Sequence, residues 1–327
     1  MPIEVTKYTD AFRLEWEGLV EESINGTFLH KRAFLEYHGD RFQDFSLMAW
    51  QDRRLLGVFA AERNAKSVYS HRGLSYGGWI FAKGLEPKAI KDIVQAGMGY
   101  FKKEGVEKLY IRSIPGFYFS GQEAEVISAY LPFNPVREQK IFQTAVNPFV
   151  WNDRGKRWGA RQAEGAGLEI SQDIEFLDTF WKAVLLPNLK QRHNTAPAHS
   201  LEEIKMLIDR FSGKIHLFTV IHGHEVLAGS VVFEMPKVVH CQYIASNPKG
   251  RKLRALDLLM RHLMIGVFPD KQIFSFGVSH EPRTGERNEG LYAWKKSLGA
   301  IDYPVLDYWF SLADPDGSPA NATSAPH

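Results

Sequence analysis

Residues 246–263 read SNPKGRKLRALDLLMRHL, with Lys249, Arg251, Lys252 and Arg254 crowded around Gly250 just ahead of a run of good helix formers. The amino end of a helix carries unpaired N–H groups and the positive pole of the helix dipole. Cations are disfavoured there unless they share an anion with those amides. The stretch therefore reads as a turn built to hold a phosphate, or else as a solvated helix start.

Among twelve histidines, two stand where a proton relay would be useful: His71 in Ser-His-Arg-Gly and His199 in Pro-Ala-His-Ser. Histidine titrates near neutral pH and can accept a proton from an attacking amine. A hydrogen-bonded structural role is the alternative for each. His222 and His224 flank Gly223 with no third ligand at useful spacing, so no metal site is expected. Cys241 lies inside the apolar run VVHCQYIA, the setting of a core thiol, and as the only cysteine it excludes an internal disulfide. Candidate substrate groups are Asn25, His30, Tyr37 and Arg41 in one short phrase, and Tyr76 with Gly77 beside Gly78. Phe34, Tyr37 and His38 fit a half-buried helix face equally well.

Two series of elements must position these groups. The first spans 46–78 and then 87–115; the second spans 216–250 and then 254–282. Each reads as strand, polar turn, strand, turn, strand, helix, strand. The turns are Gln51-Asp52-Arg53 and His222-Gly223-His224. The helix faces are Ile90, Ile93, Val94, Gly97, Met98 and Phe101 in one, and Leu256, Leu259, Met260 and Leu263 in the other. Residues 175–192 and 200–211 read as helices, the second opened by Ser200 and Glu203 in a capping-box pattern. A boundary is expected near 152–167, where Gly, Arg and Lys replace apolar periodicity.

The 327 residues suffice for two cores, and 40 Lys plus Arg against 38 Asp plus Glu leave a net charge of +2. No bulk field draws the chain to nucleic acid or membrane. The first twenty residues lack an uninterrupted apolar core, and the expectation is a cytoplasmic protein; residues 313–327 read as a polar, disordered tail.

Three antiparallel strands, a helix and a further strand, with a basic turn between strand and helix, resemble the acyl-CoA-dependent N-acetyltransferase (GNAT) superfamily. Two copies in tandem resemble its FemAB-like branch. The phrases NGTFLHKRAFLEYHGDRFQDFSL, SHRGLSYGG, PAHSLEEI, FGVSHE and NEGLYAWKKSLGA are similar to those of proteins from surface-polysaccharide operons. The implied fold is α/β: two tandem GNAT-like units, 1–155 and 156–312, each a mixed, mostly antiparallel sheet flanked by helices.

The implied function is transfer of an acyl group from acyl-CoA, by direct attack, to the amine of a dTDP- or UDP-linked amino deoxysugar. An aminoacyl-tRNA-dependent peptidoglycan-bridge ligase and a non-catalytic ligand sensor are the alternatives. No nucleic-acid or membrane partner is expected. The resemblance places acyl-CoA along Tyr243, Ser246 and Ser279 and around the turn of Gly250, Arg251, Lys252, Arg254 and Ala255. It also assigns Asn288 and Lys295 to that ligand. Two departures stand out. Arg254 and Leu256 occupy positions where the superfamily keeps glycine or alanine, and Lys295 stands where many members keep a tyrosine acid. His71 and His199 are the implied proton carriers.

Overall fold

The computed structural model describes residues 2–146, 153–193, 196–280 and 285–313. The chain forms two compact units, Met1–Lys140 with the segment from Pro304 onward, and Ile141–Tyr303. From Pro304 onward the last strand therefore belongs to the first unit, whereas the sequence reading ends that unit at residue 155. Most of the tail expected at 313–327 lies outside the described residues. Among the described residues no helix is long and apolar enough to cross a membrane.

The first unit contains β1 (Glu4–Lys7), β2 (Gln43–Asp44), β3 (Leu47–Gln51), β4 (Arg54–Phe59), β5 (Glu62–Asn64), β6 (Ser67–Tyr69), β7 (Trp79–Phe81) and β8 (Lys108–Ile111). One sheet has the order β1-β3-β4-β7 and is antiparallel throughout. Asp52 and Arg53, with φ of 51° and 65°, make the tight turn expected between β3 and β4. The chain then differs from the simple repeat. After Ala60 and Ala61 it forms the β5–β6 hairpin, whose second strand runs parallel to β8. The strand that completes the first sheet is β7, beyond the glycines of 77–78.

Helix Pro87–Lys103 follows, and the expected face of Ile90, Ile93, Val94, Gly97, Met98 and Phe101 is buried. A side chain on Gly97 would come within 2.6 Å of the Trp79 ring, so the glycine lets the helix lie close on the sheet.

The second unit continues β9 (Val136–Val146) from Ile141 and adds β10 (Glu169–Ser171), β11 (Ile215–His222), β12 (Glu225–Glu234), β13 (Val238–Ser246) and β14 (Ile273–Val278). Their order is β10-β11-β12-β13-β14-β9, antiparallel except for β13 against β14. β15 (Ala300–Ser311) then carries the chain back, and from Tyr308 it pairs with β8 in the first unit. The stretch expected as a boundary is instead helix Arg154–Gly165, capped by Asp153 and packed through Ala160 and Ala163. Its polar composition hid a narrow buried stripe. The capping box at Ser200 forms as expected: Ser200 Oγ accepts from the Glu203 amide at 3.1 Å, and the Glu203 carboxylate accepts from the Ser200 amide at 2.8 Å.

Candidate active site

In the second unit β13 and β14 pair only at Val238–Ile273, Val239–Phe274 and His240–Ser275. Beyond that point they part. Gly277 adopts a left-handed φ of 66°, and the register of β14 against β9 shifts between Ser275 and Val278, turning β14 away. On β13, Tyr243 faces Val231 while Cys241 faces Val232, leaving Gln242 as an extra bulged residue. The half of β13 from Cys241 to Ser246 thus offers an edge that an extended, amide-bearing ligand can pair with.

Buried polar groups collect where the strands part. Helix Glu289–Ser297 is capped by Asn288, whose Oδ1 accepts from the Leu291 amide at 2.9 Å. Two turns later Lys295, 3 % exposed, donates to the carbonyls of Val278 (2.7 Å) and Gly277 (3.2 Å). Burial pushes its ammonium down from 10.5 to about 7, so it exchanges its proton near neutrality. His240 Nδ1 lies 3.1 Å from Ser275 Oγ, and burial, helped by Lys295, holds this imidazole down at about 4, hence neutral. Burial pushes the Cys241 thiol up to about 12, which removes it as a nucleophile. Ser279 Oγ donates to Gln143 Oε1 at 2.7 Å, and Thr144 Oγ1 is buried without a partner among the described residues. His240, Ser275, Gln143 and Thr144 escaped the sequence reading. The signal for them was polar residues at strand positions whose neighbours are apolar.

The basic turn resolves into two helices. Asn247 Oδ1 caps Pro248–Lys252 by accepting from the Gly250 amide at 2.7 Å, and a second helix begins at Ala255 and winds on through Val267. Arg254 joins them with φ 62° and ψ 29°, the left-handed conformation glycine adopts freely. Its Nε lies 3.0 Å from Asp257 Oδ2, and Asp257, 4 % exposed, also holds Lys156 at 2.9 Å. Gly159 gives them room, since a Cβ there would lie 2.3 Å from Asp257. Arg254 is thus matched within the unit.

Arg251 donates to the Ser246 carbonyl at 2.7 Å, and Lys249 pairs with Glu225 at 2.5 Å. Gly250 is a packing glycine, because a Cβ there would strike the Leu227 carbonyl oxygen at 2.4 Å. The Ser246 hydroxyl is buried and donates to that same oxygen at 3.3 Å. Lys252 stands exposed, beside the first amides of the helix that starts at Ala255. Lys252 and the amides of Ala255 and Leu256 are the groups left to meet an anion.

On the open half of β13 the Tyr243 hydroxyl lies 2.6 Å from His199 Nδ1 and accepts from the His199 amide at 3.2 Å. Trp181 packs edge-on against Tyr243 at 5.1 Å, and burial pushes the phenol up to about 12. His199 and Tyr243, named for different roles from sequence, therefore form one hydrogen-bonded pair.

The other sequence candidates belong to the first unit. His71 has a left-handed φ of 64° and lies 4.9 Å from the ring of His38; burial, then that neighbour, depress it to about 3. His30 is fully buried, its Nδ1 accepting from the Thr27 amide at 3.1 Å, and is held at about 4 by burial. Tyr76 donates to Thr27 Oγ1 at 3.3 Å. Tyr37 stacks on His38 at 3.9 Å, and Arg41 donates to the His38 carbonyl. Asn25 bridges the Trp79 carbonyl and the Phe81 amide, completing an edge of β7. The Gly77 amide donates to the Arg112 carbonyl at 2.6 Å. Of this set, Asn25 and Gly77 line a cavity within the unit. Among the described residues no group of three or more His, Cys, Asp or Glu side chains is arranged to hold a metal ion.

Residues 152–282 match the family model of the acetyltransferase (GNAT) domain. No match is found among the curated proteins. Among solved structures the chain is similar to FemX, at 13 % identity and a TM-score of 0.66 over 93 % of this chain and 97 % of that one. It is also similar to L-PGS from Bacillus licheniformis (13 % identity, TM-score 0.58, 95 % and 94 % covered). A third is a tandem GNAT protein from the clavulanic acid biosynthesis pathway (11 % identity, TM-score 0.53, 96 % and 100 % covered). The parting strands, the helix that follows the basic turn and these likenesses agree on one architecture: the chain has a tandem GNAT fold, and its second unit carries the match to the acetyltransferase domain.

Proposed function

We propose that the second unit is an acyl-CoA-dependent N-acyltransferase. The observation that carries this reading is the parting of β13 and β14 after His240 and Ser275, with Lys295 at its base and the Ala255 amide heading a helix after β13. The β13 edge suits the amides of pantetheine, and Lys252 with the first helix amides suits the pyrophosphate. An amine attacks the thioester carbonyl; the C–N bond forms, the C–S bond breaks, and the departing thiolate takes a proton from Lys295. His199, held by Tyr243, accepts the proton lost by the amine. Transfer is direct, because Cys241 remains a protonated thiol at physiological pH.

The acceptor is a nucleotide-linked amino deoxysugar, dTDP- or UDP-bound, used for surface polysaccharide. This part rests on the sequence phrases, and a cytoplasmic setting goes with it. The likeness to FemX favours a second reading, an aminoacyl-tRNA-dependent ligase; the net charge of +2 weighs against a tRNA surface. Thiol release on mixing acyl-CoA, a dTDP-amino sugar and the protein tests the choice. Sugar-dependent release supports the first reading, and aminoacyl transfer from tRNA without thiol release replaces it with the second. Ligand binding with neither turnover leaves a sensor.

A further inference from the structure

The first unit holds a cavity of about 390 Å³ that the chemistry above does not use. It lies between β7 and β8, which belong to different sheets; the residues just before β7 and just after β8 meet at the parallel bridge of Gly77 and Ser113. Aromatic rings from Trp79, Phe119, Tyr130 and Tyr308 enclose it, and Glu123, first residue of helix Glu123–Tyr130, faces into it. The Glu123 carboxylate rests on Gly116, where a Cβ would come within 2.1 Å of Oε1. No ion pair or side-chain hydrogen bond engages it among the described residues, and burial alone raises its carboxyl above the usual range. The Tyr308 hydroxyl and Ser113 Oγ sit buried behind the lining, with no hydrogen-bond partner among the described residues.

An unpaired carboxylate among aromatic faces is costly when the cavity is empty and favourable when a cation fills it. A phosphate or carboxylate ligand would be repelled.

We infer that this cavity binds an organic ammonium ion with an apolar body, Glu123 pairing with the charge and the rings enclosing the rest. The inference stands apart from acyl transfer in the second unit, because its readout is binding alone.

Isothermal titration of the full chain with 2-phenylethylammonium and with 2-phenylethanol, which differ in the charged group, tests it. The ammonium ion should bind about tenfold more tightly than the alcohol. Glu123→Gln should reduce the ammonium affinity to that of the alcohol, and Gly116→Ala, which displaces the carboxylate, should act in the same direction. Equal affinity for the two probes in the unaltered protein overturns the inference, as does the absence of ammonium binding. A Glu123→Gln protein that keeps the preference for the ammonium ion overturns it too. The comparison of probes on the unaltered chain decides the matter even where a variant fails to fold.

Discussion

In the first unit the segments flanking β7 and β8 touch at the bridge of Gly77 and Ser113, and the gap beyond is an aromatic cavity facing the carboxylate of Glu123. In the second, β13 and β14 pair for three residues, and the wall of the gap is closed by the ammonium of Lys295. The helices that follow differ in the same sense. Helix Pro87–Lys103 begins after Glu86, an acid that would repel a phosphate, whereas the helix from Ala255 begins beside Lys252 and Arg254. One order of elements thus places opposite charge at its two openings. Architecture sets where a ligand can enter; a few side chains set which sign it carries.

The sharpest way to break this contrast is Lys295→Met. If Lys295 protonates the thiolate, thiol release should fall by about a hundredfold or more, while binding of acyl-CoA persists. Unchanged turnover would sink that role. A companion test follows from its depressed value. Between about 7 and 10.5 the unfolded chain holds a proton on Lys295 that the folded chain has lost. Stability should therefore gain from this residue as pH rises through that window, and the Met variant should lack the gain in denaturant melts.

Next come the glycines beside each opening. A Cβ on Gly250 meets the Leu227 carbonyl oxygen at 2.4 Å, and one on Gly77 meets the Ser70 carbonyl oxygen at the same distance. Each Gly→Ala change should cost about 1–3 kcal/mol by equilibrium unfolding. Only the Gly250 variant should alter CoA binding, and loss of CoA binding with Gly77→Ala would break the division of labour. Lys252→Ala should raise the apparent CoA constant about fivefold at low salt, an effect that added salt erases. The smallest effect is expected from Tyr243→Phe, which removes the 2.6 Å bond to His199 and should cost about 1 kcal/mol of stability, with a lower rate at unchanged CoA affinity.

Local signals carried the sequence reading where it held. The buried face of Pro87–Lys103, the tight turn at Asp52 and Arg53, and the capping box at Ser200 each depend on residues within a few positions of one another. So does the repeated order of strand, helix and strand. The β5–β6 hairpin was hidden because its strands pair outside the first sheet, and helix Arg154–Gly165 because its polar residues mask a narrow buried stripe.

The candidate site was legible only in part. Lys295 was singled out by the family resemblance, seven residues after Asn288, but its placement on the carbonyls of Gly277 and Val278 required the sheet to part there. Arg254 was visible as a cation in a glycine position. Its pairing with Asp257, and the room Gly159 leaves for both, joins segments about a hundred residues apart. Glu123 carried no sequence signal at all; its half-buried place on the wall of a cavity lined by residues distant in the chain made it unusual. Periodicity, caps and turns arise from short-range sterics and hydrogen bonding, so the sequence by itself determined most of the elements and their order, apart from the β5–β6 hairpin and helix Arg154–Gly165. Which charges are matched and which face an opening depends on desolvation and on long-range neighbours, and that only the tertiary structure decided.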